Sequence, residues 1–179
     1  AESLLIPPDE APTAEEIAAV PLSLPALGWN LRQFQVSNAA WAVHRLGSIL
    51  AMGCGVGKSG TATAAAIAAA RVGKCRRTRC YIYCPVNAMD QWLPYCVELE
   101  KEYQEVHIFS IDSAFNAAHQ ALDRSLGGAM IVDELHKLKS DASRRGIAIE
   151  KLRNGFEWSV GLTGTLLSAG AEGVLRVQD

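Results

Sequence analysis

Short apolar runs recur along the chain, each closed by a glycine, a proline or a charged residue. They fall at about Ser48 to Met52, Cys80 to Cys84, Val106 to Ser110, Ala129 to Asp133 and Trp158 to Leu162, and their length points to strands. Between them lie segments that read as helices. WNLRQFQVSNAAWAVHRLG offers an apolar face of Phe34, Ala40, Trp41 and Leu46, ended by Gly47. An alanine-rich helix runs from Lys58 to about Val72 and stops at Gly73. Asn87 is placed to cap a helix holding Gln91, Trp92 and Leu99, and another helix is expected from Asp112 to Leu126. A polar, basic stretch from Lys137 to Arg145 precedes a last helix to about Arg153. This alternation predicts an α/β fold, a mostly parallel central sheet with helices on both faces. Residues 1–28, with Pro7, Pro8, Pro12, Pro21 and Pro25, predict an extended arm over the surface, or disorder. Within it Thr13 and Glu16 have capping-box spacing and start a short helix through Val20. Residues 29–179 form the domain.

Composition narrows the class. The 179 residues are 49% hydrophobic and 20% charged, which suits one globular domain with a real core. A net charge of −2 gives no global signal for nucleic acid and leaves room for a local basic groove. The N-terminus has no basic region followed by an apolar run, and the longest apolar stretch, Thr61 to Ala70, is too short to span a bilayer. The expectation is a soluble intracellular protein without a membrane partner. Five cysteines, an odd number, argue for reduced thiols. Cys75, Cys80 and Cys84 raise the possibility of zinc; against it, Cys80 and Cys84 lie in the apolar run CYIYCP, as two small core side chains on one strand face. Arg71, Lys74, Arg76, Arg77 and Arg79 are either a phosphate-contacting patch or a solvated turn after a helix C-terminus.

The strongest chemical signal is LAMGCGVGKSG, Leu50 to Gly60. A strand runs into a glycine loop and then a helix. Gly53, Gly55 and Gly57 let the backbone approach a ligand closely, with Cys54 and Val56 between them. Lys58 brings a positive charge, Ser59 a hydroxyl able to hold Mg²⁺, and Gly60 opens the helix. A phosphate would lie at the helix N-terminus, where free N–H groups and the dipole favour anions. The strict phosphate-loop pattern wants glycine where Met52 stands. Two further candidates close strands at the same predicted edge: the acidic pair Asp133–Glu134, and Thr163-Gly164-Thr165. Beside a phosphate loop, Asp133 can hold Mg²⁺ through water while Glu134 orients and deprotonates an attacking water; without one, the pair would read as a helix cap.

These residues carry a family resemblance over about Leu31 to Leu167. The chain resembles the first RecA-like ATPase lobe of superfamily two helicases and translocases, of the DEAD/DEAH-like kind and nearest the Swi/Snf-type DNA translocases. LRQFQ resembles that family's LRPYQ, with Trp41 six residues after the glutamine. LAMGCGVGKS resembles LADEMGLGKT, YIYCPVNAMDQW resembles motif Ia, VDELHKLK resembles DEAHxxKN, and GLTGTLL resembles LTGTP. The resemblance implies a RecA-like P-loop domain that binds ATP and Mg²⁺. Gln35 would read the adenine edge, Lys58 bind the β- and γ-phosphates, Ser59 and Asp133 hold Mg²⁺, and Glu134 be the catalytic base. His136 and Thr163-Gly164-Thr165 would couple nucleotide state to the nucleic-acid path, with Pro85 and Gln91 near its backbone, DNA in preference to RNA. Each residue also has a plainer reading: Gln35 a surface residue, Trp41 and Trp92 core anchors, His136 a polar contact, and the threonines ordinary turn residues. Met52 and Gly53 replace an acidic pair, Leu135 replaces Ala and Leu166 replaces Pro. Nothing in the chain resembles the family's second lobe, which would supply arginine fingers, so hydrolysis by this lobe alone is expected to be weak. Two other readings stand beside this one. One is a helicase-like lobe kept as a nucleotide-binding scaffold or interaction module, the other a phosphate-loop enzyme such as a small kinase.

Overall fold

The structure, a computed structural model, describes residues 11–53, 55–116, 119, 122–138 and 144–164. Its centre is a five-stranded sheet formed by β3 (Gly47–Ala51), β4 (Arg79–Cys84), β5 (Glu105–Ser110), β6 (Ala129–Val132) and β7 (Trp158–Thr163). The order is β3-β7-β6-β4-β5, and every pairing is parallel. Each strand begins or ends within a residue or so of its predicted limits. A two-stranded antiparallel ladder, β1 (Ser23–Leu24) with β2 (Trp29–Asn30), lies ahead of the sheet.

Strand side chains alternate between faces, and both faces of the inner strands β4, β6 and β7 are buried along their whole length, whereas the edge strands β3 and β5 stay partly exposed. Cys80, Ile82 and Cys84 of β4 and Ala129 and Ile131 of β6 enter the larger core, which also holds α2 (Gln33–His44) and α3 (Lys58–Arg71). Tyr81, Tyr83, Met130 and Val132 enter a second core with α5 (Arg144–Arg153). Cys80 and Cys84 are thus fully buried on one strand face, and burial pushes the Cys84 thiol up to about 12. The larger core is built around α3, which is buried from Gly60 to Ala70. Its alanines allow neighbouring helices to approach closely. Among the described residues, no helix is long and apolar enough to cross a membrane.

Four elements differ from the sequence reading. In α2 the buried residues are Gln35, Val36, Ala39, Ala40, Ala42 and Val43, whereas Phe34 and Leu46 are exposed and Trp41 is half-buried. Small side chains face α3 because two helices this close leave no room for Phe or Trp. Asn87 lies inside a 3₁₀ turn, Val86–Ala88, and α4 (Met89–Leu99) follows without a side-chain cap. The expected helix from Asp112 to Leu126 is not continuous: its ends are 3₁₀ turns, Ile111–Phe115 and Arg124–Leu126, and the backbone at Asn116 is extended, while residues 117, 118, 120 and 121 lie outside the described residues. From residue 11 onward the proline-rich segment is built into the domain. Its α1 (Ala14–Ala19) has the full capping box, and Val20 and Leu24 belong to the larger core.

The basic cluster is an ion-paired turn. Arg71 and Arg77 meet Glu102 at 2.7 and 3.3 Å, Lys74 meets Glu16 at 2.9 Å, and Arg76 meets Glu157 at 2.8 Å. Arg79 alone turns inward.

Candidate functional site

Parallel register brings the C-terminal ends of β3, β7 and β6 to one edge. Ala51 pairs with Thr163, Val132 with Gly161, and the Met52 N–H donates to the Thr163 carbonyl at 3.1 Å. Three predicted segments therefore converge: the glycine loop after β3, Asp133–Glu134 after β6, and Thr163 at the end of β7. Cys54 and Thr165 lie outside the described residues, and Gly164 closes the described part of the last segment.

Gly55 and Gly57 have φ of 77° and 83°, the left-handed region that favours glycine. Gly57 is the N-cap of α3 and gives that helix no side-chain cap, so the first-turn N–H groups keep their donors for another acceptor. A side chain at Gly53 or Gly55 would project into open space, leaving a bare backbone cradle. Lys58 donates from Nζ to the Gly53 carbonyl at 3.2 Å, folding its charge over the loop, while Ser59 follows in the first turn of α3.

Gln35 is buried, not on the surface. Its Oε1 accepts the Arg32 N–H at 2.7 Å and its Nε2 donates to the Val56 carbonyl at 2.9 Å, tying α2 to the glycine loop. Trp29, which sequence reasoning passed over, braces the same loop. Its ring lies 3.2 Å from where a Cβ on Gly57 would stand and 2.5 Å from one on Gly60. Gly60 is therefore glycine because an indole occupies the space, a reason no local pattern displays.

Asp133 is buried, with both carboxylate oxygens engaged. Oδ2 accepts the indole N–H of Trp92 at 3.0 Å, and Oδ1 accepts the Glu134 N–H at 2.8 Å. Burial pushes its carboxyl above the ordinary value and the Glu134 charge adds to this; the Trp92 and Glu134 hydrogen bonds and the Lys58 charge pull it back. Lys58 and Asp133 thus stand at the same C-terminal edge of the sheet, near enough for the lysine charge to act on the carboxyl. Trp92 is a core anchor, as one reading had it, and also a direct partner of the acidic pair.

Glu134 has φ of 54°, the one positive value among the described non-glycine residues. Such backbone is uncommon and concentrates at functional sites. Its Oε2 lies 3.0 Å from Nε2 of His136, whose Nδ1 lies 3.4 Å from Oγ1 of Thr163. The imidazole therefore bridges the loop after β6 to the end of β7. Leu135, the large residue in a tight place, is accommodated by Gly161. A Cβ there would stand 2.7 Å from Leu135 Cδ2. Pro85 closes β4 at the same edge, half-buried, and Gln91 is exposed on α4.

These features fit a nucleotide phosphate chain with its divalent cation. Bare backbone donors and an amine sit on one side, a fixed carboxylate on the other, and a second carboxylate beside it.

No protein-family model matches the chain, and no curated protein matches it. Among solved structures it is similar to the Sulfolobus solfataricus SWI2/SNF2 ATPase core in complex with dsDNA, with TM-score 0.67 and 17% identity over 83% of this chain. The match spans 35% of that longer chain. At this identity the likeness establishes the fold alone: an α/β domain with a parallel sheet flanked by helices.

Proposed function

We propose that this lobe binds ATP with Mg²⁺ and is the first half of a nucleic-acid-dependent ATPase of helicase or translocase type, with duplex DNA as its track. The observation that carries the reading is the convergence of the glycine loop, with Lys58, and of Asp133–Glu134 at one C-terminal sheet edge. ATP supplies the phosphoryl bond to be broken, and Mg²⁺ neutralises its charge. The α3 N-terminus and the loop N–H groups bind the phosphates, and Lys58 leaves the Gly53 carbonyl to meet them. Ser59 and Asp133 hold the cation, Asp133 in the orientation that Trp92 and the Glu134 N–H set. Glu134 takes the proton from the attacking water. His136 then reports the state of Glu134 to Thr163 and the end of β7. Gln35, with Val56 as its present acceptor, exchanges that bond for the base edge.

The similar Sulfolobus structure holds dsDNA, which supports DNA as the polymer. Movement along it needs a second RecA-like lobe, from the same longer chain or from a partner. The test is Glu134→Gln. Equilibrium binding of Mg²⁺–ATP should stay within about twofold of the parent while hydrolysis, assayed with duplex DNA, falls at least ~100-fold. Unchanged turnover in that variant would remove Glu134 from the role assigned to it.

A further inference from the structure

The sheet face covered by α5 carries a cleft that the ATPase reading does not use. It has a volume of about 360 Å³ and is lined by α5, by residues of the segment that joins β5 to β6, by Arg79 at the start of β4 and by Gly155 and Phe156 ahead of β7. Arg79, Arg124, Arg144 and Lys151 line it, together with Phe115 and Phe156, and no Asp or Glu does among the described residues.

Arg79 is the decisive group. It is 1% exposed, and a guanidinium keeps its charge in any protein environment. Its Nε donates to the Gly127 carbonyl and its Nη2 to the Gly155 carbonyl, both at 2.9 Å. Its Cζ stands 4.5 Å from the centre of the Phe156 ring. No carboxylate pairs with it among the described residues. Asp123 feels its charge but directs its carboxylate to the N–H and hydroxyl of Ser125. Buried charges are ordinarily paired, whereas among the described residues this one meets carbonyls and aromatic rings instead of a carboxylate. Arg124, Arg144 and Lys151 line the same cleft, and the aliphatic stem of Arg124 lies beside Gly155. His119 adds no positive charge, because burial lowers its pKa and Tyr83 bonds its Nδ1 at 3.0 Å.

We propose that this cleft binds a small phosphorylated ligand with an apolar or planar body, at a site separate from the glycine-loop crevice. Guanidinium forks match phosphate oxygens in pairs, and the two phenyl rings and Ile147 give the remainder of the ligand an apolar wall. Arg79 is almost wholly buried where it lines the cleft, which favours a compact ligand over a polymer backbone.

The test uses the Lys58→Ala protein, which removes the amine of the other site. Pyrophosphate and AMP are titrated into it by calorimetry, and again after adding Arg124→Ala and Lys151→Ala. Both added positions are exposed, so the fold should be unaffected, and a thermal unfolding curve checks this. The proposal expects saturable binding of at least one probe, weakened about tenfold or more by the added pair. It is overturned by no saturable binding of either probe, or by binding that the pair leaves unchanged. Binding of duplex DNA alone, sensitive to the same pair, would also overturn it, in favour of a polymer groove.

Discussion

Trp92 shows how a single residue can serve core and chemistry together. Its ring is buried and packs near Tyr95, and its one polar atom holds Asp133 Oδ2. A carboxylate fixed in this way meets a cation without first reorganising. Trp92→Phe keeps an aromatic ring in place and removes the donor. It should raise the Mg²⁺ concentration needed for half-maximal ATP binding about tenfold, with metal-free nucleotide affinity unchanged, in a Mg²⁺ titration at fixed nucleotide. An unaltered Mg²⁺ midpoint would reduce Trp92 to packing. The sequence announced the acidic pair and the glycine loop because their chemistry lies in consecutive residues. It could not announce the Trp92–Asp133 bond, the Trp29 brace or the room that Gly161 makes for Leu135, since each joins positions distant along the chain.

At the scale of elements, strand limits were legible because a short apolar run closed by glycine, proline or a charged residue is a local signal. The face of α2 was not. Phe34 and Trp41 have the greater apolar area, but the closeness of α3 selects Ala39, Ala40 and Val43. The Asp112–Leu126 segment misled at its ends, where the composition suits a helix and the described backbone forms 3₁₀ turns, with extended backbone at Asn116. The docking of α1 rests on Glu16, which bonds His44 and Lys74, each at 2.9 Å, as well as the Thr13 N–H at 2.8 Å. Burial works against its charged form, but Lys74, Thr13 and His44 together hold its pKa at about 2 against an ordinary 4.5. A carboxyl lowered on folding contributes stability that is full above about 4.5 and fades as pH falls toward 2. Glu16→Gln should therefore cost about 2 kcal/mol in urea unfolding near neutral pH. The gap from the parent should close progressively below about pH 4.5. A pH-independent difference would contradict the charge-based account of this contact.

For the whole molecule, one sheet separates two kinds of site. The C-terminal edge gathers the glycine loop, Asp133–Glu134 and Thr163, as parallel register requires. The face under α5 gathers cations around a buried arginine. The likeness to a solved ATPase core establishes the α/β fold; the proposed ATPase rests on the first of these sites. The most direct test is the affinity of the chain for ATP in the presence of Mg²⁺, measured at equilibrium for the parent and for Lys58→Ala. Loss of the amine should weaken binding at least ~10-fold, as expected when a charge-assisted phosphate contact is removed. Equal affinity in the two proteins would contradict the claim that Lys58 and Asp133–Glu134 enclose a nucleotide.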